Sequence, residues 1–550
     1  MEAVLEKKSR VWIRLSCVAV SALAFCVVFR RVDPGALAAA FRNLHRGWFL
    51  SSVALYGLIF LPGAWRWHLM LRLTGGAVHP AATARVALIG HFFYTILFGA
   101  AGGDVAKSVL YARWYGFALP RIVAAAPLDR LLGFCGLILF ACAAFGLGAL
   151  NGAFTSSETF VLAWPVGWTV AFLALTAFVF VALLRQRSDS IWQRWFGAFT
   201  DGGRRLISSP RVAAQGLLCG CLVQVMMSGV LALNLQAVAG SPLPWGRLLW
   251  TLPVISAMSA LPITVAGLGF REGAALALLG LYGVAAADAV TASLLTLLAS
   301  LFWAGTGGIL YWREDRLQSV RPTIPQTLSV VIPTLNEAES LAETVRRVRA
   351  LPEVFETIVV DGGSRDNTRE VAAQLGCRVF TSAPGRGGQM RLGAAQAVGD
   401  VVMMLHADTW LPPHAGRAAI NCFRDSRVVG GGFWKIFRDA SPLLLGSRFK
   451  CAIRLYIGQR IAGDQTLFVR REVLAAVGGV PEMPLMEEFE LCRRLRKVGR
   501  LALADATIVT SARRFAKLGV ARTYLRMWRV TTQYRLGTSP QDLRRIYERD

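Results

Sequence analysis

Long apolar stretches recur along the chain as far as Trp312 and then stop. About 20 consecutive apolar residues are what a helix needs to cross bilayer hydrocarbon, and only helices and closed barrels span that medium. The stretches end near Phe29 and then cover 48–71, 82–101, 122–150, 161–184, 212–239, 248–266, 273–287 and 289–312. Hydrophobic residues make up 54% of the 550 and mean hydropathy is +0.47, too apolar for an ordinary soluble protein. The chain therefore reads as a multi-pass α-helical membrane domain over 1–312, a charged linker over 313–326 carrying Pro322 and Pro325, and a soluble domain over 327–550.

Basic residues orient the spans. Lys7, Lys8, Arg10 and Arg14 precede the first stretch and Arg30-Arg31 follows it, with no small-x-small cleavage site, so the first span is expected to be retained with its N-terminus inside. The basic segment 185–211 belongs in the cytoplasm, and 151–160, without Lys or Arg, belongs outside. Lys107, Arg113 and Arg121 also favour the inside, which leaves 82–101 as a re-entrant pair. This predicts an inner (plasma) membrane of bacterial type and a cytoplasmic soluble domain. The net charge of +26 is distributed, with no basic-aromatic recognition module, so it points to anionic headgroups and not to nucleic acid. Ten scattered cysteines without a Cys-x-x-Cys pair argue for neither a disulfide framework nor a zinc site.

Two apolar segments are interrupted by glycine and carry charge. One is Phe98-Gly99-Ala100-Ala101-Gly102-Gly103-Asp104, and the other runs from Leu261-Pro262 to Gly267-Leu268-Gly269-Phe270-Arg271-Glu272. Broken segments of this kind, one in each half, mark a membrane binding site, and charge at membrane depth usually faces a cavity. Asp104, Arg271 and Glu272 are the candidate residues; two interfacial loops with flanking ion pairs are the plainer alternative.

Beyond the linker the periodicity changes. Ser329-Val330-Val331-Ile332, Thr357-Ile358-Val359-Val360 and Asp400-Val401-Val402-Met403-Met404-Leu405 are short apolar runs closed by polar tips, with helical patterns over 338–350, 367–375 and 389–397. That alternation predicts an α/β, Rossmann-like domain with a mixed, mostly parallel sheet. Ligands of such sheets sit at the carboxyl ends of the strands, where Glu337, Asp361 and Asp408 fall. A divalent metal with a charged, polyoxygenated ligand accounts for three acids at three strand ends.

The tips Pro333-Thr334-Leu335-Asn336-Glu337, Asp361-Gly362-Gly363-Ser364 and His406-Ala407-Asp408 resemble those of a family-two inverting glycosyltransferase with the GT-A fold. In the last tip a histidine stands where that family carries the first acid of Asp-x-Asp. Gly102-Gly103-Asp104 and Gly267-Leu268-Gly269-Phe270-Arg271-Glu272 resemble the membrane region of lysylphosphatidylglycerol synthases. The latter resemblance implies lipid handling, with flipping among the options. With a glycosyltransferase-like domain where the synthases have their aminoacyl-transfer domain, lysyl transfer is not expected.

The resemblance implies a nucleotide-sugar donor, Mg or Mn held through Asp408, and a donor site around Pro333, Asn336, Glu337, Asp361 and Ser364. Asp361 is also suited to capping its own turn, and the two roles can coexist. His406 is read either as a diphosphate partner or as a structural strand-end histidine. Pro384-Gly385-Arg386-Gly387-Gly388-Gln389-Met390-Arg391 is a glycine-rich loop before a helix, suited to phosphate, with Arg386 and Arg391 as its charges. Gly463-Asp464-Gln465 resembles the acceptor-side loop. Glu487-Glu488 resembles the family's Glu-Asp pair and makes Glu488 the expected general base ahead of Glu487, although acids at a helix start are favoured by the dipole alone. Arg513 and Arg514 are placed at the leaving diphosphate. Residues 522–535 read either as an amphipathic helix on the membrane surface or as a packed terminal helix. The acceptor is expected to be a lipid, polyprenyl phosphate among the options, or a small molecule. A lipid transporter with a nucleotide-sugar-binding regulatory domain is the rival reading. A nucleotidyltransferase ranks last, because Thr334-Leu335-Asn336-Glu337 stands where its basic glycine-rich loop would be.

Overall fold

The computed structural model describes residues 26–30, 32–96, 100–150, 192–239, 251, 255, 269–317, 324–438, 446–456, 458 and 460–549. The first expected span, that over 161–184 and nearly all of 248–266 lie outside the described residues, as do Pro262 to Leu268 and the side chain of Arg514. The chain divides into two compact units, residues 1–77 with 82–316 and residues 78–81 with 317–550.

The first unit is helical. It holds α1 (Pro34–Arg42), α2 (Arg46–Leu73), α3 (Pro80–Ile96), α4 (Ala100–Tyr115), α5 (Leu119–Leu150), α6 (Trp192–Ile207), α7 (Pro210–Ala239), α8 (Phe270–Gly280) and α9 (Ala286–Leu317). Four of these, α2, α5, α7 and α9, contain stretches of 26 to 29 residues long and apolar enough to cross a membrane. Small residues let their backbones approach: a Cβ on Gly136 of α5 would lie 2.7 Å from Gly220 Cα of α7. The described parts of α3 and α4 are 17 and 16 residues long, and 97–99 between them lie outside the described residues.

Of the expected broken segment, Gly102, Gly103 and Asp104 lie in the first turns of α4, while 97–99 lie outside the described residues. Gly103 serves approach, since a Cβ there would stand 2.9 Å from Gly90 O and Tyr94 Cβ of α3. The linker also begins later than expected. Helix α9 continues through Arg313 to Leu317, because charged residues solvate a helix end without breaking it and Pro322 is the first breaker.

The second unit is α/β. Its elements are β1 (Leu328–Thr334), α10 (Ala338–Arg349), β2 (Val354–Asp361), α11 (Thr368–Gln374), β3 (Arg378–Thr381), α12 (Arg386–Gln396), β4 (Val401–Met404), α13 (Ala415–Cys422), β5 (Val428–Phe437), α14 (Ser447–Tyr456), β6 (Leu467–Arg470), α15 (Arg471–Ala476), α16 (Glu487–Val498), β7 (Arg500–Thr510), α17 (Arg513–Leu518), α18 (Val520–Arg535) and α19 (Pro540–Arg549). The sheet order is β3-β2-β1-β4-β6-β5-β7. β1 pairs in parallel with β2 and β4, β2 with β3 and β5 with β7, while β6 runs antiparallel to β4 and β5.

Both faces of the sheet are buried, which is why its strands read as continuous apolar runs. Val330, Ile332, Val359, Val401 and Met403 pack on one side with Leu341, Val345 and Val348 of α10. Val331, Ile358, Val360, Val402 and Met404 pack on the other with Met390, Leu491 and Leu495. Helix α12 starts at Arg386, three residues before the pattern suggested. Glycine explains it: Gly385 caps at φ 153°, and a Cβ on Gly387 would sit 2.6 Å from Met483 O.

Candidate active site

The tips of β1 and β2 are tied to each other. Asn336 adopts φ +54°, its N–H donates to Ser364 Oγ at 2.9 Å, and its Oδ1 accepts from Arg365 N at 2.8 Å. Asp361, fully buried, accepts from Gly363 N at 3.0 Å, Ser364 N at 2.9 Å and the Ser364 hydroxyl. Its carboxylate thus holds the turn that shapes the strand end. One residue the sequence reading missed completes this edge. Gln389 Nε2 donates at 2.8 Å to both Thr334 O and Val360 O, tying β1 to β2. Only the neighbouring glycine hinted at it, since a Cβ on Gly362 would stand 3.0 Å from that amide.

Glu337 and Asp408 are joined by an arginine from far along the chain. Arg513 Nη2, at the start of α17, donates to both Glu337 oxygens at 3.0 Å and to Asp408 Oδ2 at 3.1 Å. The pairs with Glu337 and Asp408 raise the Arg513 pKa against a smaller opposing effect of burial. Among the described residues no cluster of three His, Cys, Asp or Glu side chains forms a complete metal cage. One hard carboxylate, Asp408, nonetheless suits Mg or Mn, which take one or two carboxylates and complete their shell with substrate phosphates and water.

A second cluster lies at the N-terminus of α16. Met486 enters at φ +68°, and Glu487 and Glu488 follow, both buried. Arg386, in the first turn of α12, clasps the pair: Nε donates to Glu487 Oε1 at 2.6 Å and Nη2 to Glu488 Oε1. Its Nη1 meets His406 Nε2 at 3.1 Å. An arginine only donates, so Nε2 is the acceptor and His406 is neutral. Burial, reinforced by Arg386, pulls His406 down to about 4. Burial pushes Glu488 up to about 7; Arg386 opposes the rise and Glu487 adds to it. Glu487 Oε2 is buried without a hydrogen-bond partner.

The turn Gly463-Asp464-Gln465 faces this cluster. A Cβ on Gly463 would overlap Glu488 Oε1 and come within 3.0 Å of Arg386 Nη1, so only glycine fits. Asp464 pairs with buried Lys435; burial would raise its pKa, but Lys435 and then Arg454 hold it down to about 2. Gln465, fully buried, accepts from Arg454 Nη1 and Ala462 N, both at 3.2 Å. Pro333, His406, Gly463 and Glu488 line a common cleft. Arg391 turns elsewhere and donates to Val480 O at 3.2 Å.

The membrane candidates are charge-paired within their own unit. Asp104 binds Lys107 Nζ and Arg130 Nε, each at 2.7 Å. Glu272, fully buried, accepts from Gly269 N at 2.7 Å and Arg271 Nη2 at 2.6 Å, and from Ser293 Oγ at 3.1 Å.

One chain thus joins a unit of long apolar helices to an α/β unit whose acids gather at the strand tips. The model of the lysylphosphatidylglycerol synthase TM region matches residues 14–307, more than half of the chain, and the chain belongs to that family. The glycosyl transferase family 2 model matches residues 329–476. An uncharacterized glycosyltransferase of Nostoc sp. is 35% identical over 111 residues, 19% of this chain and 34% of that protein. The undecaprenyl-phosphate 4-deoxy-4-formamido-L-arabinose transferase of Pseudomonas fluorescens strain SBW25 is 40% identical over 106 residues, 17% of this chain and 31% of that protein. The chain thus spans about a third of the length of these curated relatives. Among solved structures, a mannosyltransferase from Pyrobaculum calidifontis in complex with GDP-Man and Mn2+ is 19% identical, with 42% of this chain and 70% of that one covered, at a TM-score of 0.30. TarS of S. aureus is 16% identical, with 34% and 36% covered, at 0.29. Both scores are too low to carry an argument.

Proposed function

We propose that this chain is an inverting glycosyltransferase that moves a sugar from a nucleotide-sugar donor to a lipid acceptor, with its second unit on the cytoplasmic side of the membrane. The observation that carries the reading is Glu488: a buried carboxylate near neutrality, lining the cleft at the strand tips and held by Arg386. A base of that affinity is suited to taking a proton from a hydroxyl. In the proposed step the acceptor oxygen bonds to the sugar's anomeric carbon, the bond to the diphosphate breaks, and the acceptor proton passes to Glu488. Arg386 keeps that carboxylate in place, and neutral His406 accepts from the same guanidinium. Asn336, Asp361, Ser364 and Gln389 hold the edge against which the nucleotide would lie. Arg513 is the cation that moves from Glu337 and Asp408 to the departing diphosphate. A divalent ion at Asp408 would supply further charge neutralisation for that leaving group.

The membrane unit is proposed to bind or translocate the lipid. Support comes from the family of that unit and from relatives named for undecaprenyl phosphate or, in Staphylococcus haemolyticus, for 4,4'-diaponeurosporenoate. The test is to incubate membranes bearing the full chain with a panel of labelled nucleotide sugars. Label is expected in the lipid extract and absent with Glu488→Gln; no transfer from any donor to lipid or soluble product would overturn the reading.

A further inference from the structure

Helix α18 buries Thr523 and Val530 and turns its other face outward. That face carries Leu525, 65% exposed, Trp528, 66%, and, at the helix end, Leu536, 74%. The stripe they form is about 16 Å long at a 1.5 Å rise per residue. Exposed Arg522 and Arg529 flank it on the same side. Large apolar side chains are not normally left this open in a row, and rimmed by arginine they mark a contact surface.

A basic cluster stands at the same end of the helix. Tyr534 Oη lies 3.3 Å from Glu490 Oε2 of α16, and Arg460 stacks 5.7 Å from the Phe489 ring one residue earlier. Arg460, Arg496 and Arg535 lie within range of one another's charge, beside Arg493 and Arg494 of α16. Glu490 is already committed to Arg493 at 2.7 Å and Arg494 at 3.1 Å. Arg460 Nη1 is buried without a partner. Burial first, then the charges of Arg535 and Arg496, hold the Arg460 pKa below its ordinary value, with Tyr534 opposing.

We propose that the exposed face of α18 and the arginine cluster at its end form a docking surface for an anionic phospholipid bilayer, with lipid phosphate on Arg460, Arg496 and Arg535 and the apolar stripe in the headgroup region. Arginine beside leucine and tryptophan on one helix face suits that boundary. The same chain carries four helices long and apolar enough to cross a membrane, which makes a lipid surface the natural partner for this face. A second copy fits poorly, because a self-complementary contact would set cationic face against cationic face. The proposal does not depend on the reaction assigned to the cleft.

The experiment is hydrogen exchange of the full chain in nanodiscs of phosphatidylcholine alone and of phosphatidylcholine with phosphatidylglycerol. Amides over 520–536 are expected to exchange about tenfold more slowly in the anionic discs, and the difference should shrink at 0.5 M salt. Arg460→Gln with Arg535→Gln should abolish the difference, and Arg535→Lys should keep most of it. Leu525→Asp, at an exposed site, should abolish it while strands β1 and β4 stay protected, which separates lost docking from lost fold. Equal exchange in both discs, or protection that tracks protein concentration and not lipid charge, would overturn the proposal.

Discussion

At Glu488 the same burial that makes a carboxylate hard to ionise makes it useful as a base. Burial raises its pKa to about 7, so the carboxylate titrates around neutral pH. Loss of a proton creates the reactive form, so if deprotonation of the acceptor limits the rate, activity should rise with pH through about 7 and level off above it. Glu488→Gln should remove that limb and lower turnover by about 10²–10⁴ with little change in donor affinity. Turnover and donor binding measured across pH 5 to 9 check both parts. Should Glu487→Gln reproduce the loss and Glu488→Gln not, the base is the neighbouring residue. The pair itself was legible in the sequence, because it opens an amphipathic helix after a turn. Its clasp by Arg386 was not: the partners lie more than a hundred residues apart, and a glycine-rich loop reads equally well as a phosphate cradle. The bridge from Arg513 to Glu337 and Asp408 was hidden for the same reason.

At the scale of elements, β1, β2 and β4 were plain because a strand buried on both faces reads as an unbroken apolar run, whereas β5, interrupted by Gly430, Gly431 and Gly432, was not read as a strand. Glycine was harder to interpret. Gly103 permits two helices to touch, Gly387 lets α12 start against a loop, and Gly463 leaves room for a carboxylate. None of these uses is a turn, which is what a glycine in sequence first suggests. Gly463 gives the sharpest consequence. Adding one methyl there overlaps Glu488 Oε1, so the base or the turn must shift by a fraction of an ångström or more. Gly463→Ala should lower kcat by about 100-fold, since a displacement near 1 Å at a reacting group carries a loss of that order. The sheet core is untouched, so the melting temperature of the second unit should stay within a few degrees of wild type. A full-activity alanine variant would show that Glu488 does not need that position.

At the scale of the whole molecule, the change from apolar spans to an α/β pattern was visible in hydropathy alone, and ion pairs for the membrane charges were one of the two readings open; the partner Arg130, on another helix, was not visible. Asp104 sits between Lys107 and Arg130 in a setting where unpaired charge is costly. An ion pair that a lipid phosphate can open is the form such a site would take in the proposed function. Ten residues separate Leu317 from Leu328, roughly 35 Å of chain, and in the proposed function a headgroup leaving the first unit would be taken up by the second. If the membrane unit delivers the acceptor, Asp104→Ala should reduce glycosylation of native lipid in intact membranes by about tenfold, the scale of coupling of about 1.4 kcal/mol. The same full-length variant should transfer to a soluble acceptor at the wild-type rate, because the cleft residues are unchanged. Comparing the two acceptors within one preparation removes differences in expression, and Asp104→Asn separates the role of the charge from that of side-chain volume. Equal transfer to native lipid by Asp104→Ala and wild type would leave the membrane unit as an anchor, and a parallel loss on both acceptors would mark a folding defect and not a broken delivery route.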